Sequence, residues 1–318
     1  ELSATTLHLG HTGAENTMGV FDGGHISSDH ASIGHWLGAD GNYALVTGTN
    51  SVWENSGTFN VGEHGADSLL LVTDAGTVRS AVVNVGAQST SSNNAVSLWG
   101  DGALLDAAEL NIGGTATTAG GTGNRVSIRN GATIAVNDLT IHDGNKLDLH
   151  DGGTFAINND FNASTAGFNW NDGGHLSLTG NLEGMPVEFD FSVFGPVSTL
   201  DGERRALTLD GGSWSNTMNV AVGYMGTSNR LSVTNGGYLS GNGFYIGMKA
   251  GSSGNELLVS GSGSAFESTG ELFVGYKGHS NSVSVLDGGT LNTRGGQLGF
   301  GDSNGNSATV SGAGSRWD

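Results

Sequence analysis

Residues 218–268 read MNVAVGYMGTSNRLSVTNGGYLSGNGFYIGMKAGSSGNELLVSGSGSAFES, which is one unit written twice. Each copy opens with a short apolar strand ending in glycine, Val220-Ala221-Val222-Gly223 and then Phe244-Tyr245-Ile246-Gly247. A small polar loop follows, closed by Asn229 or Asn255. A second alternating strand, a turn and a third short strand ending on Leu239 or Phe266 complete the unit. A polar/apolar period of two is the signature of a strand with one face against a core.

Outward from this stretch the closing glycine recurs at Gly10, Gly34, Gly62, Gly86 and Gly113, and again at Gly223, Gly247, Gly275 and Gly301. The spacings of 24 to 28 residues suit one coil of a solenoid. The residue before each glycine and the one two places earlier are apolar, as in Phe59 and Val61 or Leu272 and Val274, and both are expected to face inward. The residue after it varies freely (His11, His35, Glu63, Ala87, Tyr224, Met248, Tyr276) and is expected to face solvent. Asn16, Asn42, Asn94, Asn124, Asn229, Asn255, Asn281 and Asn306, with Asp67 in place of one of them, announce the second strand. A column of amides at coil corners can bond to local backbone and to the amides of adjacent coils. Turns such as Asp22-Gly23-Gly24 and Asp287-Gly288-Gly289 precede the third strand, which points Trp53, Phe155, Trp214 or Phe266 inward. The fold predicted is all-β: a single-stranded parallel β-helix with three short strands per coil and roughly 12 coils.

Composition narrows the function classes. The chain has 318 residues with 57 Gly and 2 Pro, and its alternating Val, Ile and Leu argue against collagen and against disorder. A formal net charge of -19 would repel nucleic-acid phosphates. The lack of Cys excludes disulfides and thiolate chemistry. No apolar run is long enough to span a bilayer. The chain starts without Met and stops inside a unit, so it reads as a piece of a longer polypeptide, one continuous β-helix over residues 1–318.

Only residues 179–206 break the pattern. Both prolines lie there, among Phe189, Phe191, Phe194, Glu188, Asp190, Arg204 and Arg205. Alternation through Val187, Phe189 and Phe191 suggests a strand, within an irregular coil or a small excursion.

The phrases at residues 46–53 (VTGTNSVW), 259–266 (VSGSGSAF) and 310–317 (VSGAGSRW), with strands such as LFVGY at 272–276, resemble the passenger-domain repeats of bacterial autotransporters over most of the chain. That resemblance implies a right-handed parallel β-helix, displayed at the bacterial cell surface or released. It implies a C-terminal outer-membrane barrel beyond this stretch, and a role in adhesion, self-association or biofilm formation. The partner would be a host or bacterial surface molecule, or another copy on a neighbouring cell.

No catalytic residue, cofactor or metal ligand is expected from the residues themselves. His8 and His11 share a strand-to-loop corner, and His11, His35 and Glu63 share a column, but that column continues with Ala87 and Gly114 and reads as exposed polar variation. The calcium-binding nonapeptide and the nucleophile elbow are both absent. Two alternatives to the adhesive rod stand: a polysaccharide-binding or polysaccharide-cleaving module centred on residues 179–206, and a passive spacer. Surface or glycan contacts would come from Trp170, Glu188, Asp190, Phe194, Arg204 and Arg205. Tyr224 and Tyr276 form a separate aromatic patch, with Phe300 turned inward beside it.

Overall fold

The computed structural model describes residues 1–185, 187–190 and 195–318, and the side chains of 187–190, 195 and 196 lie outside that description. Among the described residues the elements are all strands, with no helix. Parallel strands stack in about 12 turns, the β-solenoid that the repeat predicts. They form two compact units, residues 1–158 with 165–174, and residues 159–164 with 175–318.

In the first unit the second strands of successive coils (Tyr43–Thr47, Leu69–Thr73, Ala95–Trp99, Arg125–Arg129) form one parallel sheet. The third strand of each coil runs on into the first strand of the next as one long strand, such as His25–Ile33, Val52–Val61 and Thr77–Val85. Pairing slips at its middle, between Ser28 and Ala31 and between Asn55 and Thr58, where the strand bends to serve two faces. Phe59, Val61, Val83, Val85, Leu110 and Ile112 are fully buried, so the apolar alternation becomes continuous ladders inside the coil.

In the second unit the three strands of a coil are separate and build three parallel sheets. Val220, Val222, Phe244, Ile246, Leu272 and Val274 are fully buried on one side of the core. Leu231, Val233, Leu257 and Val259 close a second side, and Trp214, Leu239 and Phe266 the third.

Residues 179–206 change which strand meets which. His175–Leu178 follows an Asp-Gly-Gly turn and is a third strand by its sequence, yet it pairs with Ala206–Asp210, which precedes such a turn and is a second strand. Between them Val187–Asp190 and Gly195–Leu200 pair antiparallel, and Gly195–Leu200 then pairs parallel with Asn219–Val222. Gly195–Leu200 thus lies in the first-strand sheet of the second unit, with Val187–Asp190 at its edge. Strand roles therefore advance by one face, although the sequence motif resumes unchanged.

The asparagine column is a hydrogen-bonded ladder in both units. Asn229 donates from its backbone N–H and its Nδ2 to Asn255 Oδ1 at 2.9 and 3.0 Å, and Asn255 repeats this to Asn281 at 2.9 and 3.1 Å. Asn94, Asn124 and Asn145 are linked in the same way. Two members differ from expectation. Ser68, not Asp67, stands in the column, because Leu69 pairs with Tyr43 and the Ser68 N–H donates to Asn94 Oδ1. In the last coil Val274 pairs with Leu298, so Gly299, not Gly301, closes the first strand. Ser264 and Ser315, both from the family-like phrases, link coils as well: each hydroxyl donates four residues back to a carbonyl and accepts an N–H from the preceding coil's glycine turn.

Replacing Asn255 by Ala leaves several fully buried donors and acceptors unpaired, at roughly 3 kcal/mol in all. We expect Tm to fall by about 5–10 °C for a unit of this size, with faster amide exchange at Asn229. Asn304→Ala, at an exposed loop position, serves as the comparison and should melt within about 1–2 °C of the parent. Equal melting of both variants would contradict a ladder that bears on stability.

Candidate functional site

The closing glycine adopts a left-handed conformation, as at Gly223 (φ 71) and Gly247 (φ 72). It turns the chain so that the next side chain folds back over the side chain two places before the glycine. These two positions make a pair of columns on the outside of the coil. Tyr224 is 8% exposed and Met248 1%, so these two members of the position expected to face solvent are instead packed, whereas His11 is exposed.

In the second unit this double column is aromatic. Tyr245 and Phe273 are the outward residues of paired strands, with parallel rings 5.1 Å apart. Tyr276 packs edge-on against both, at 5.5 and 5.2 Å. Lys249 Nζ lies 5.2 Å from the centre of the Tyr224 ring, within reach of a cation–π attraction. Burial, with Tyr276 and Glu271 nearby, pushes the Tyr245 hydroxyl up to about 12. Phe300 does not turn inward as expected. It follows Gly299, joins the outer column, and stacks on Tyr276 at 4.7 Å.

In the first unit the same columns are polar. His8, Ser32, Asn60, Asn84 and Asn111 stand in one register, and Asn111, Asn84 and Asn60 bond amide to amide at 3.0 and 2.9 Å. Over them lie His11, His35 and Glu63. The His8 ring is 3.9 Å from that of His35 and 5.1 Å from that of His11, with 5.0 Å between His11 and His35. One ligand nitrogen from each of the three lies within 4.8 Å of the others. His35 Nδ1 meets Glu63 Oε2 at 2.7 Å, and Ser32 Oγ donates to the same oxygen. Burial alone would raise the Glu63 carboxyl, but the bonds from Ser32 and His35 outweigh it and hold the group below its ordinary range. Burial, followed by the neighbouring His35 and His11, lowers His8, which is therefore neutral at pH 7. His8 Nδ1 is buried and makes no hydrogen bond, a state that costs about 1–3 kcal/mol if nothing satisfies it. Trp36 walls the cluster, its ring 5.3 Å from His35 and 6.3 Å from His11.

The residues singled out around 179–206 do not share a described site. Trp170 lies in the first unit, where its Nε1 donates to the Gly174 carbonyl at 2.9 Å. Arg204 is exposed at a left-handed turn (φ 56), with its N–H bonded to Thr227 O. Arg205 heads the asparagine ladder of the second unit, its N–H donating to Asn229 Oδ1 at 3.2 Å. The side chains of Glu188 and Asp190 lie outside the described residues, as does all of Phe194. A groove of about 400 Å³ opens elsewhere, on the third-strand face of the second unit, lined by Asn216, Tyr238, Asn242, Glu267 and Thr269. There the Tyr238 hydroxyl donates to Glu267 Oε2 at 2.8 Å.

The sequence puts His8 and His11 at one corner and His11, His35 and Glu63 in one column; the fold-back at Gly10 is what also brings His8 onto His35. Sequence reading missed the groove, whose lining is spread over three coils. Comparison with protein-family models, curated proteins and solved structures found no match for this chain.

His175, on the strand that meets Ala206–Asp210, is lowered by burial and then by Arg230, while its Nε2 lies 2.9 Å from Thr208 Oγ1. A folded value below the unfolded value of about 6.5 means that the folded chain binds fewer protons. The stability this confers is full above pH 6.5 and declines as the pH falls through 6.5 toward the folded value. We expect Tm to drop between pH 7.5 and 5.0, and to drop less in His175→Gln. An identical pH slope in the variant would rule out His175 as a contributor.

Proposed function

We propose that the chain is part of a surface-displayed or released bacterial protein that works in adhesion and self-association. Its partner is another surface or a second copy. The observation that carries this reading is the aromatic double column of the second unit. Tyr245 and Phe273 lie on the outer side of strands whose inner side already fills the core, and Tyr276 packs on them from the bend that follows, so none of the three is needed to close the coil. Tyr245 and Phe273 are themselves buried, and the exposed apolar area lies at Phe300, stacked on Tyr276 and 41% exposed, and at Met225, next to Tyr224 in the chain and 67% exposed. Apolar area at this position suits contact with another surface. The resemblance to autotransporter passenger repeats supports the cell-surface setting and the C-terminal barrel that would anchor the chain.

Glycan binding is the second reading, and it is favoured by the groove around Tyr238. A ring face beside amides, a hydroxyl and one carboxylate is a donor and acceptor set suited to sugars. Glu267 is the single carboxylate in that lining, which supports binding over the two-carboxylate chemistry of cleavage.

Displayed on cells that do not otherwise aggregate, the chain should cause sedimentation and retention on a surface. The double variant Met225→Ser/Tyr276→Ser should lower both at least threefold while its circular dichroism is unchanged. Tyr238→Ala should leave aggregation intact and reduce only polysaccharide retention. Aggregation unaffected by the double variant would overturn the adhesive reading of this column.

A further inference from the structure

We propose that His8, His11 and His35 form a binding site for one divalent cation of the zinc, nickel and copper group, with Glu63 as the residue that orients His35. Three features of the site lead to this.

The donor set is convergent. Two residues come from one coil and the third from the next, and one nitrogen of each lies within 4.8 Å of the others. Ligands on a common zinc ion at about 2.0–2.1 Å are at most about 4.2 Å apart. The cluster therefore reaches ligand geometry through small side-chain rotations, without backbone movement. The backbone beneath it is fixed: His35 N–H donates to Gly10 O, and Trp36 N–H to His11 O, both at 3.0 Å.

The protonation pattern suits a ligand. The Glu63 carboxylate can only accept, so His35 Nδ1 carries the proton and Nε2 keeps its lone pair. A carboxylate behind a coordinating imidazole is the arrangement that fixes tautomer and ring orientation in metal sites. Ser32 in turn holds Glu63, so the support extends one residue further.

The site also has an unmet need. His8 Nδ1 is buried with no hydrogen-bond partner, and neither neighbouring imidazole is placed to supply one. An all-nitrogen set favours borderline transition ions over calcium or magnesium, which require oxygen ligands. His11 is exposed, so the fourth position opens to water. The bound ion would clamp the first coil to the second on the polar side of the double column.

The test is titration of the whole chain with Zn²⁺ by calorimetry and with Co²⁺ by visible absorption. One ion per chain is expected, with Co²⁺ bands of a four- or five-coordinate site. His11→Ala, at an exposed position, and His35→Ala should each weaken Zn²⁺ at least tenfold. Glu63→Gln should weaken it about tenfold with the Co²⁺ spectrum retained, and His279→Ala should change nothing. Ca²⁺ should not compete. Melting in chelator shows whether each variant is folded. Failure to bind tighter than about millimolar, or an affinity in His11→Ala or His35→Ala unchanged from the parent chain, would overturn the site.

Discussion

The structure depends on the contact between a glycine of one coil and an asparagine of the next. The Gly62, Gly223 and Gly247 Cα atoms lie so close under Asn94, Asn255 and Asn281 that a Cβ on any of them would occupy the space of the amide. The amide, laid flat there, accepts the backbone N–H and the Nδ2 of the asparagine before it in the column. Glycine makes the approach possible, and the approach places the amide where it can bond. The apolar ladders then stack in register because the corner that sets the register repeats.

With the corner fixed, the coil has little freedom left at its inner positions. The freedom lies outside, at the residue two before the glycine and the one after it. The two units use it differently: histidine, serine, asparagine and glutamate in the first, tyrosine, phenylalanine and methionine in the second. The same backbone geometry thus holds a set of nitrogen donors in one unit and an apolar face in the other. This contrast is what distinguishes the regular coils chemically, more than the irregular residues 179–206 do.

The inner architecture was legible in the sequence because it is periodic. Val220, Val222, Phe244 and Ile246 recur with their coil, and so do Asn229 and Asn255. Errors arose where two neighbours satisfied the same pattern: Asp67 and Ser68 can each precede a strand, and Gly299 and Gly301 can each end one. Burial of Tyr224 and Met248 was not legible, because a left-handed glycine sends the next side chain back across the strand instead of onward. For the same reason the corner shared by His8 and His11 did not show that His8 stacks on His35. The one-face advance at Ala206–Asp210 was hidden by a motif that resumes intact on a different face. Glu188, Asp190 and Phe194, picked for their irregular setting, fall on residues whose side chains are not described.

Thermal melting of Gly247→Ala beside Gly251→Ala tests the glycine–asparagine contact most directly. Both glycines have positive φ, 72° and 91°, but a Cβ at Gly251 meets nothing within 4 Å, whereas at Gly247 it meets Asn281. Backbone strain alone costs both variants about 1–2 kcal/mol, and displacing the amide adds roughly 1–3 kcal/mol at Gly247. A clearly larger fall in Tm is expected for Gly247→Ala. Equal falls would mean that the glycines serve only the turn and that the asparagine ladder does not depend on them.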